Sequence, residues 1–109
     1  QIVERIEMDI ISGKYKPGDK LPSVRDLAAE AAVNPNTMQK AFTELERTGL
    51  VFSQRTTGRF ITEDTSMIDE LKSTLAKDKI TELLSFMQQL GFQENEILAM
   101  IGQTMKGEK

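Results

Sequence analysis

Between Asn34 and Arg47 the chain places amide, hydroxyl and basic groups at helical spacing. At about 100° of rotation per residue from Asn36, Lys40, Thr43 and Arg47 return to within about 20–40° of its direction, with Gln39 beside them near about 300°. Glu44 and Glu46 fall to the sides, so the outward stripe carries no carboxylate. Met38, Ala41, Phe42 and Leu45 fill the opposite arc. Asn and Gln amides pair bidentately with adenine edges, and Lys and Arg meet guanine edges or phosphate, so the stripe suits a nucleic-acid groove. Bond-making chemistry is poorly supplied by contrast. The chain has no histidine and no cysteine, which removes thiolate nucleophiles, zinc sites, disulfides and His-based relays. The carboxylates are scattered, with no nucleophile–base pair and no metal-ligand cluster. No enzyme activity, cofactor or metal is expected.

Helices and a hairpin must hold this stripe. Ile2, Val3, Ile6 and Ile10 predict an amphipathic helix over residues 1–12, closed by Ser12-Gly13. Lys14 to Lys20 reads as a turn punctuated by Pro17-Gly18. Ser23, with Asp26 three residues on, opens a short helix that turns Val24, Leu27, Ala28 and Ala31 inward. A step from Ala31 to Asn34 leads to Asn34 as N-cap and Pro35 at the first helical position, and Gly49 ends that helix. Two helices joined by such a step form a helix-turn-helix, whose second helix fits a major groove. Leu50–Ser53 and Arg59–Thr62 then read as strands of a hairpin around a polar loop. Arg55 and Arg59 bracket Thr56, Thr57 and Gly58, a basic tip suited to phosphate or minor-groove contact.

The 109 residues suffice for one small domain with an appendage. Charge divides them: nine basic against eight acidic residues up to Thr62, five against nine from Glu63. Residues 66–90 read as helix whose apolar face changes direction. Ile68, Leu71 and Leu75 share one side, Ile80, Leu83, Leu84 and Met87 another, with Lys77-Asp78-Lys79 between them. That pattern predicts one helix with two apolar faces or two helices with a break. Residues 93–106 predict a last helix carrying Ile97, Leu98, Ile101 and Met105. One apolar set is expected to dock on the preceding domain and the other on a second subunit. Phe86, Phe92, Met87, Met100 and Met105 are an alternative lining for a small effector pocket, which would make the protein a ligand-gated regulator. No apolar run approaches the roughly 20 residues that span a bilayer, no leader pattern is visible, and a soluble cytoplasmic protein without membrane contact is expected. The chain opens on Gln1 rather than methionine, so residues are expected to precede it.

Lys16-Pro17-Gly18-Asp19-Lys20-Leu21-Pro22-Ser23-Val24-Arg25-Asp26-Leu27-Ala28 resembles the signature of the GntR family of bacterial transcription regulators. The stretch from Asn34-Pro35-Asn36-Thr37 to Gly49 and the Thr57-Gly58-Arg59-Phe60-Ile61 wing continue the resemblance across residues 1–62. It implies a mainly α fold with a small β-hairpin: a winged helix-turn-helix domain over 1–63, then a short all-helical dimerisation tail over 64–109. It further implies DNA contacts by Ser23 and Arg25, base and phosphate reading by Asn34, Asn36, Thr37, Gln39 and Lys40, and a backbone-facing Arg47. A wing of Arg55, Thr57, Gly58 and Arg59 would lie at the minor groove. Relatives with arginine where Pro35 and Gln39 stand differ here, so their base preferences do not transfer. The short tail, with Leu90-Gly91-Phe92-Gln93-Glu94-Asn95-Glu96-Ile97, is similar to the YtrA-type subfamily. Its members act as repressors beside ABC-transporter genes and dimerise through the tail. That resemblance implies a homodimer through the tail; its two-fold symmetry predicts an inverted-repeat duplex, and the apolar pattern of the tail offers Ile68, Leu71, Leu75, Ile80, Leu83, Leu84, Met87, Ile97 and Ile101 as dimerisation residues.

Overall fold

In the computed structural model, which describes residues 2–55 and 57–107, the first apolar stripe forms helix α1 (Ile2–Ile11) and buries Ile6 and Ile10. Helix α2 (Val24–Ala31) starts at Ser23, whose Oγ accepts the Asp26 amide at 3.1 Å. It ends on Ala32 in the left-handed conformation (φ 57°, ψ 44°), where the Val33 amide reaches the Ala28 carbonyl at 3.0 Å and the Ala32 amide reaches Ala29 at 3.2 Å. This is a Schellman closure on a residue that carries a Cβ. Two residues later Asn34 caps helix α3 (Pro35–Arg47) by accepting the Asn36 amide at 2.7 Å. The expected helix-turn-helix is therefore present. Met38, Ala41, Phe42 and Leu45 form the buried side of α3.

Strands β1 (Val51–Gln54) and β2 (Gly58–Ile61) pair antiparallel, Val51 opposite Ile61, Phe52 opposite Phe60, Ser53 opposite Arg59 and Gln54 opposite Gly58. Each lies about one residue from its expected bounds, and the ladder still continues as the Thr62 amide donates to Leu50 at 2.8 Å. Val51 and Ile61 anchor the root in the core, while Phe52 and Phe60 stack on the other face with centroids 6.0 Å apart. The second edge of β2 is also occupied. The Leu21 amide donates to the Arg59 carbonyl and the Ile61 amide to the Asp19 carbonyl, both at 2.8 Å. The segment expected as a plain turn thus adds a short third edge, helped by Leu21 preceding Pro22, a position biased to extended backbone.

Residues Gln1–Lys72 form one compact unit. Its core joins Ile6, Ile10, Leu21, Leu27, Ala28, Met38, Phe42, Leu45, Leu50, Val51 and Ile61, and Ile68 and Leu71 pack partly buried against it. These last two belong to helix α4 (Thr65–Gln89), a single uninterrupted helix. Lys77-Asp78-Lys79 changes the polarity of a face without supplying a glycine or proline, so nothing breaks the hydrogen-bond ladder. Asp64 caps α4, its Oδ1 accepting the Ser66 and Met67 amides at 3.1 and 3.3 Å.

The other unit, Ser73–Lys109, pairs the rest of α4 with helix α5 (Glu94–Met105). Gly91 at φ +97° closes α4, the Phe92 amide reaching Met87 at 3.1 Å and the Gly91 amide reaching Gln88 at 3.0 Å. Met87 and Ile97 are its buried apolar residues, whereas Ile80, Leu83, Leu84, Phe86, Leu90, Leu98, Met100 and Met105 are exposed. No helix among the described residues is long and apolar enough to cross a membrane.

Candidate nucleic-acid interface

The N-terminus of α2, the outward side of α3 and the hairpin surround an open cleft of about 880 Å³. Ser23, Arg25, Gln39, Thr57, Gly58 and Arg59, six of the twelve expected contact residues, line it together. Arg25 is exposed at the second position of α2, and Ser23 holds the cap with its hydroxyl oxygen. Gln39 looks into the cleft from α3. Across it, Thr57 Oγ1 donates to Gln54 Oε1 at 3.2 Å, and the Thr57 amide reaches the Gln54 carbonyl at 3.2 Å.

The other expected residues lie outside that lining. Asn36, Thr37 and Lys40 are exposed on α3, Asn34 is exposed while capping it, and Arg55 is exposed in the hairpin turn. Thr56, grouped with the tip by sequence, lies outside the described residues. Thr43 turns its hydroxyl back to the Gln39 carbonyl at 3.0 Å.

Both carboxylates of α3 are held by arginines. Arg47 Nε donates to Glu44 Oε1 at 3.1 Å, and Arg47 Nη2 engages Glu44 Oε2. The hydrogen bond from Arg47 holds the Glu44 carboxyl below the usual carboxylate range, against a smaller desolvation. Arg59 Nε donates to Glu46 Oε1 at 2.5 Å, and its guanidinium lies 5.1 Å from the centroid of the Phe42 ring. Both acids of α3 are thus matched by cations, and Arg47 of the outward stripe is one of them.

Lys20 also lines the cleft, and the sequence reading did not include it. Gly58, at φ +115°, lies so close beneath it that a Cβ there would meet Lys20 Cε at 3.0 Å. The backbone conformation is what requires the glycine, since the end of the lysine side chain can shift aside. The signal available in sequence was the extended bias of Leu21-Pro22, which allows a strand-like edge but does not name β2 as its partner.

The residues expected at a subunit interface fall into three sets. Ile68 and Leu71 have their burial accounted for by the winged core. Met87 and Ile97 are buried within the tail unit, and Leu75 and Ile101 are half-buried. Ile80, Leu83 and Leu84 are exposed. Of the residues offered as an effector-pocket lining, Met87, Met100 and Met105 border a shallow apolar groove of about 310 Å³ with Leu83, Ile101 and Thr104; Phe86 and Phe92 do not. Among the described residues no group of three or more acidic side chains could hold a metal ion.

Comparison with known proteins agrees with this geometry. The model of the bacterial regulatory proteins of the gntR family matches residues 1–61. The chain is 40% identical over 98 residues to the HTH-type transcriptional regulator YhcF of Bacillus subtilis, spanning 90% of this chain and 81% of that one. It is 41% identical over 90 residues to the HTH-type transcriptional repressor YtrA of the same organism, spanning 83% of this chain and 65% of the repressor. A GntR family transcriptional regulator from Listeria monocytogenes superposes with a TM-score of 0.86 at 41% identity, covering 94% of this chain and 90% of that structure. The helix-turn-helix, the hairpin wing and these likenesses agree that the chain belongs to the GntR family of bacterial transcription regulators, DNA-binding proteins and not enzymes.

Proposed function

We propose that the protein is a dimeric repressor in the cytoplasm that binds an inverted-repeat operator and controls transporter genes. The observation that carries the DNA-reading part is the cleft itself, where Gln39 on α3 and Thr57 and Gly58 on the hairpin face one space beside Arg25. In this reading α3 enters the major groove. Asn36, Thr37, Gln39 and Lys40 meet base edges and nearby phosphates, and Arg47 exchanges Glu44 for a phosphate. Arg25, Ser23 and Asn34 meet the backbone at the groove edge, and the hairpin brings Arg55, Thr57 and Gly58 to the adjacent minor groove.

The tail supports the dimeric part. A helical pair that buries Met87 and Ile97 while exposing Ile80, Leu83, Leu84, Phe86 and Leu90 presents large apolar side chains to water, the kind of surface that marks an interaction site when contiguous. A second copy packed on it would relieve that exposure, with the groove beside Met100 and Met105 as part of the same surface. Two recognition helices related by a two-fold axis would meet half-sites about one turn, roughly 34–36 Å, or a multiple apart. Repression and transporter control rest on the likeness to the YtrA repressor and to its subfamily.

Selection of binders from a random duplex pool, followed by titration of the winner and a scrambled duplex across a salt series, tests this reading. An inverted repeat bound at least about 10³-fold more tightly than scrambled DNA is expected. Binding without enrichment, falling steeply with salt, would replace the regulator with a non-specific architectural protein.

A further inference from the structure

Charge alone would assign Arg59 to phosphate neutralisation, and its surroundings point elsewhere. Side chains alternate along a strand, so Arg59 shares its face with Ile61, which is fully buried in the core. The guanidinium is therefore directed inward at α3, onto Glu46 at 2.5 Å and over the Phe42 ring at 5.1 Å. The side chains of Arg59 and Glu46 keep only 28% and 31% of their exposure, against 69% and 43% for Arg47 and Glu44 one helix edge away. A water-facing pair such as Arg47–Glu44 exchanges its partner for a phosphate at little cost. A guanidinium stacked on an aromatic face and hydrogen-bonded to a half-buried carboxylate does not, because leaving strands Glu46 and uncovers Phe42.

We propose that Arg59 is a positioning residue: clamped by Glu46 and Phe42, it fixes the hairpin against the recognition helix. Gln39 on one side of the cleft and Thr57 and Gly58 on the other then engage one duplex together. Neutralisation falls to Lys20, Arg25, Lys40, Arg47 and Arg55. The inference rests on the DNA-reading role above. Its sign at Glu46 is distinctive. Removing a carboxylate from a helix set against a polyanion tightens binding by electrostatics alone, whereas removing the anchor of Arg59 loosens the wing and weakens it.

The test compares wild type, Glu46→Gln, Arg59→Gln and the double variant on the selected duplex and on scrambled DNA across a salt series. The temperature is one at which circular dichroism shows all four folded. Each single substitution is expected to weaken the selected duplex about tenfold, and the double variant no further. The slope of log affinity against log salt should match that of wild type, with scrambled DNA less affected. Equal or tighter binding by Glu46→Gln, additive losses, or a slope shallower by about 0.9 in Arg59→Gln would overturn the proposal in favour of a phosphate contact. In the free protein, ¹⁵N order parameters at Thr57 and Gly58 should fall in Glu46→Gln while those of α1 stay fixed; unchanged values at the hairpin would overturn it too. A wild type that bound no duplex would remove the DNA-reading role and this inference with it, a result distinct from a binding wild type with an indifferent Glu46 variant.

Discussion

Two side chains that border the cleft would make different kinds of DNA contact in the proposed reading. Gln39 presents an amide that can pair bidentately with a base, whereas Lys20 presents a point charge on a flexible stem. Gln39→Ala is therefore expected to cost about 1–3 kcal/mol on the selected duplex and much less on scrambled DNA. Lys20→Ala should weaken both duplexes alike and make the salt slope shallower by about 1. Fluorescence anisotropy titrations at four or five salt concentrations measure both. Equal losses on both duplexes for Gln39→Ala would reassign it to the backbone. Gln39 was legible from helical spacing alone, because a residue's face on α3 follows from its number. Lys20 was not, since its place depends on the pairing of the Asp19–Leu21 stretch with β2, a contact some forty residues away in sequence. The charge on Arg59 was equally plain, but its direction was set by its alternation with Ile61, a period-two signal that the sequence reading left unused.

Among the elements, the helices were the most legible because their ends carry specific chemistry. Ser23, Asn34-Pro35, Gly49 and Gly91 each mark a boundary within a residue or two. The continuity of α4 was less so, since a reversal of the apolar face is compatible with a break. The turn of the helix-turn-helix contains a local conflict that sequence cannot display. Among the described residues Ala32 is the one non-glycine with positive φ, at 57°. Its Cβ crowds the following carbonyl there, whereas glycine would not, although glycine loses more backbone entropy on folding. Ala32→Gly should raise unfolding stability by about 0.5–1 kcal/mol in urea denaturation, and a loss would mean that packing at Ala32 outweighs its dihedral cost. The start of α4 gives a pH-dependent counterpart. Hydrogen bonds from the Ser66 hydroxyl and the Met67 and Ser66 amides hold the Asp64 carboxyl below its ordinary 3.8. A carboxyl depressed on folding stabilises above its unfolded value and loses that contribution as pH falls through the folded one. The melting-temperature gap between wild type and Asp64→Ala should thus be widest near neutrality and narrow below pH 3.8. A gap independent of pH would show that the capping oxygen matters and its charge does not.

At the scale of the whole molecule, the winged unit has its core and its proposed DNA face, and the tail unit presents large apolar side chains to water. Ile80 and Leu84 lie one helical turn apart on α4, 55% and 36% exposed, so neither is needed to close the protomer. Glutamates at both places should leave each unit folded, because neither residue is among the buried Met87 and Ile97 of the tail unit and glutamate is a good helix former. Facing another copy, the same glutamates would be desolvated without a partner, which an interface tolerates poorly. Ile80→Glu/Leu84→Glu is therefore expected to run as a monomer in light scattering at micromolar concentration, with wild-type circular dichroism, while the parent runs as a dimer. Linked half-site readers gain avidity without new contacts, so losing the dimer should weaken the inverted repeat by at least about 100-fold. Affinity for an isolated half-site should stay unchanged, since every residue proposed to meet DNA belongs to the winged unit. A monomeric parent would withdraw the dimer. A double variant that stayed dimeric would move the interface off this face of α4, to the surface of Leu98, Met100 and Met105 on α5, where the same pair of measurements applies.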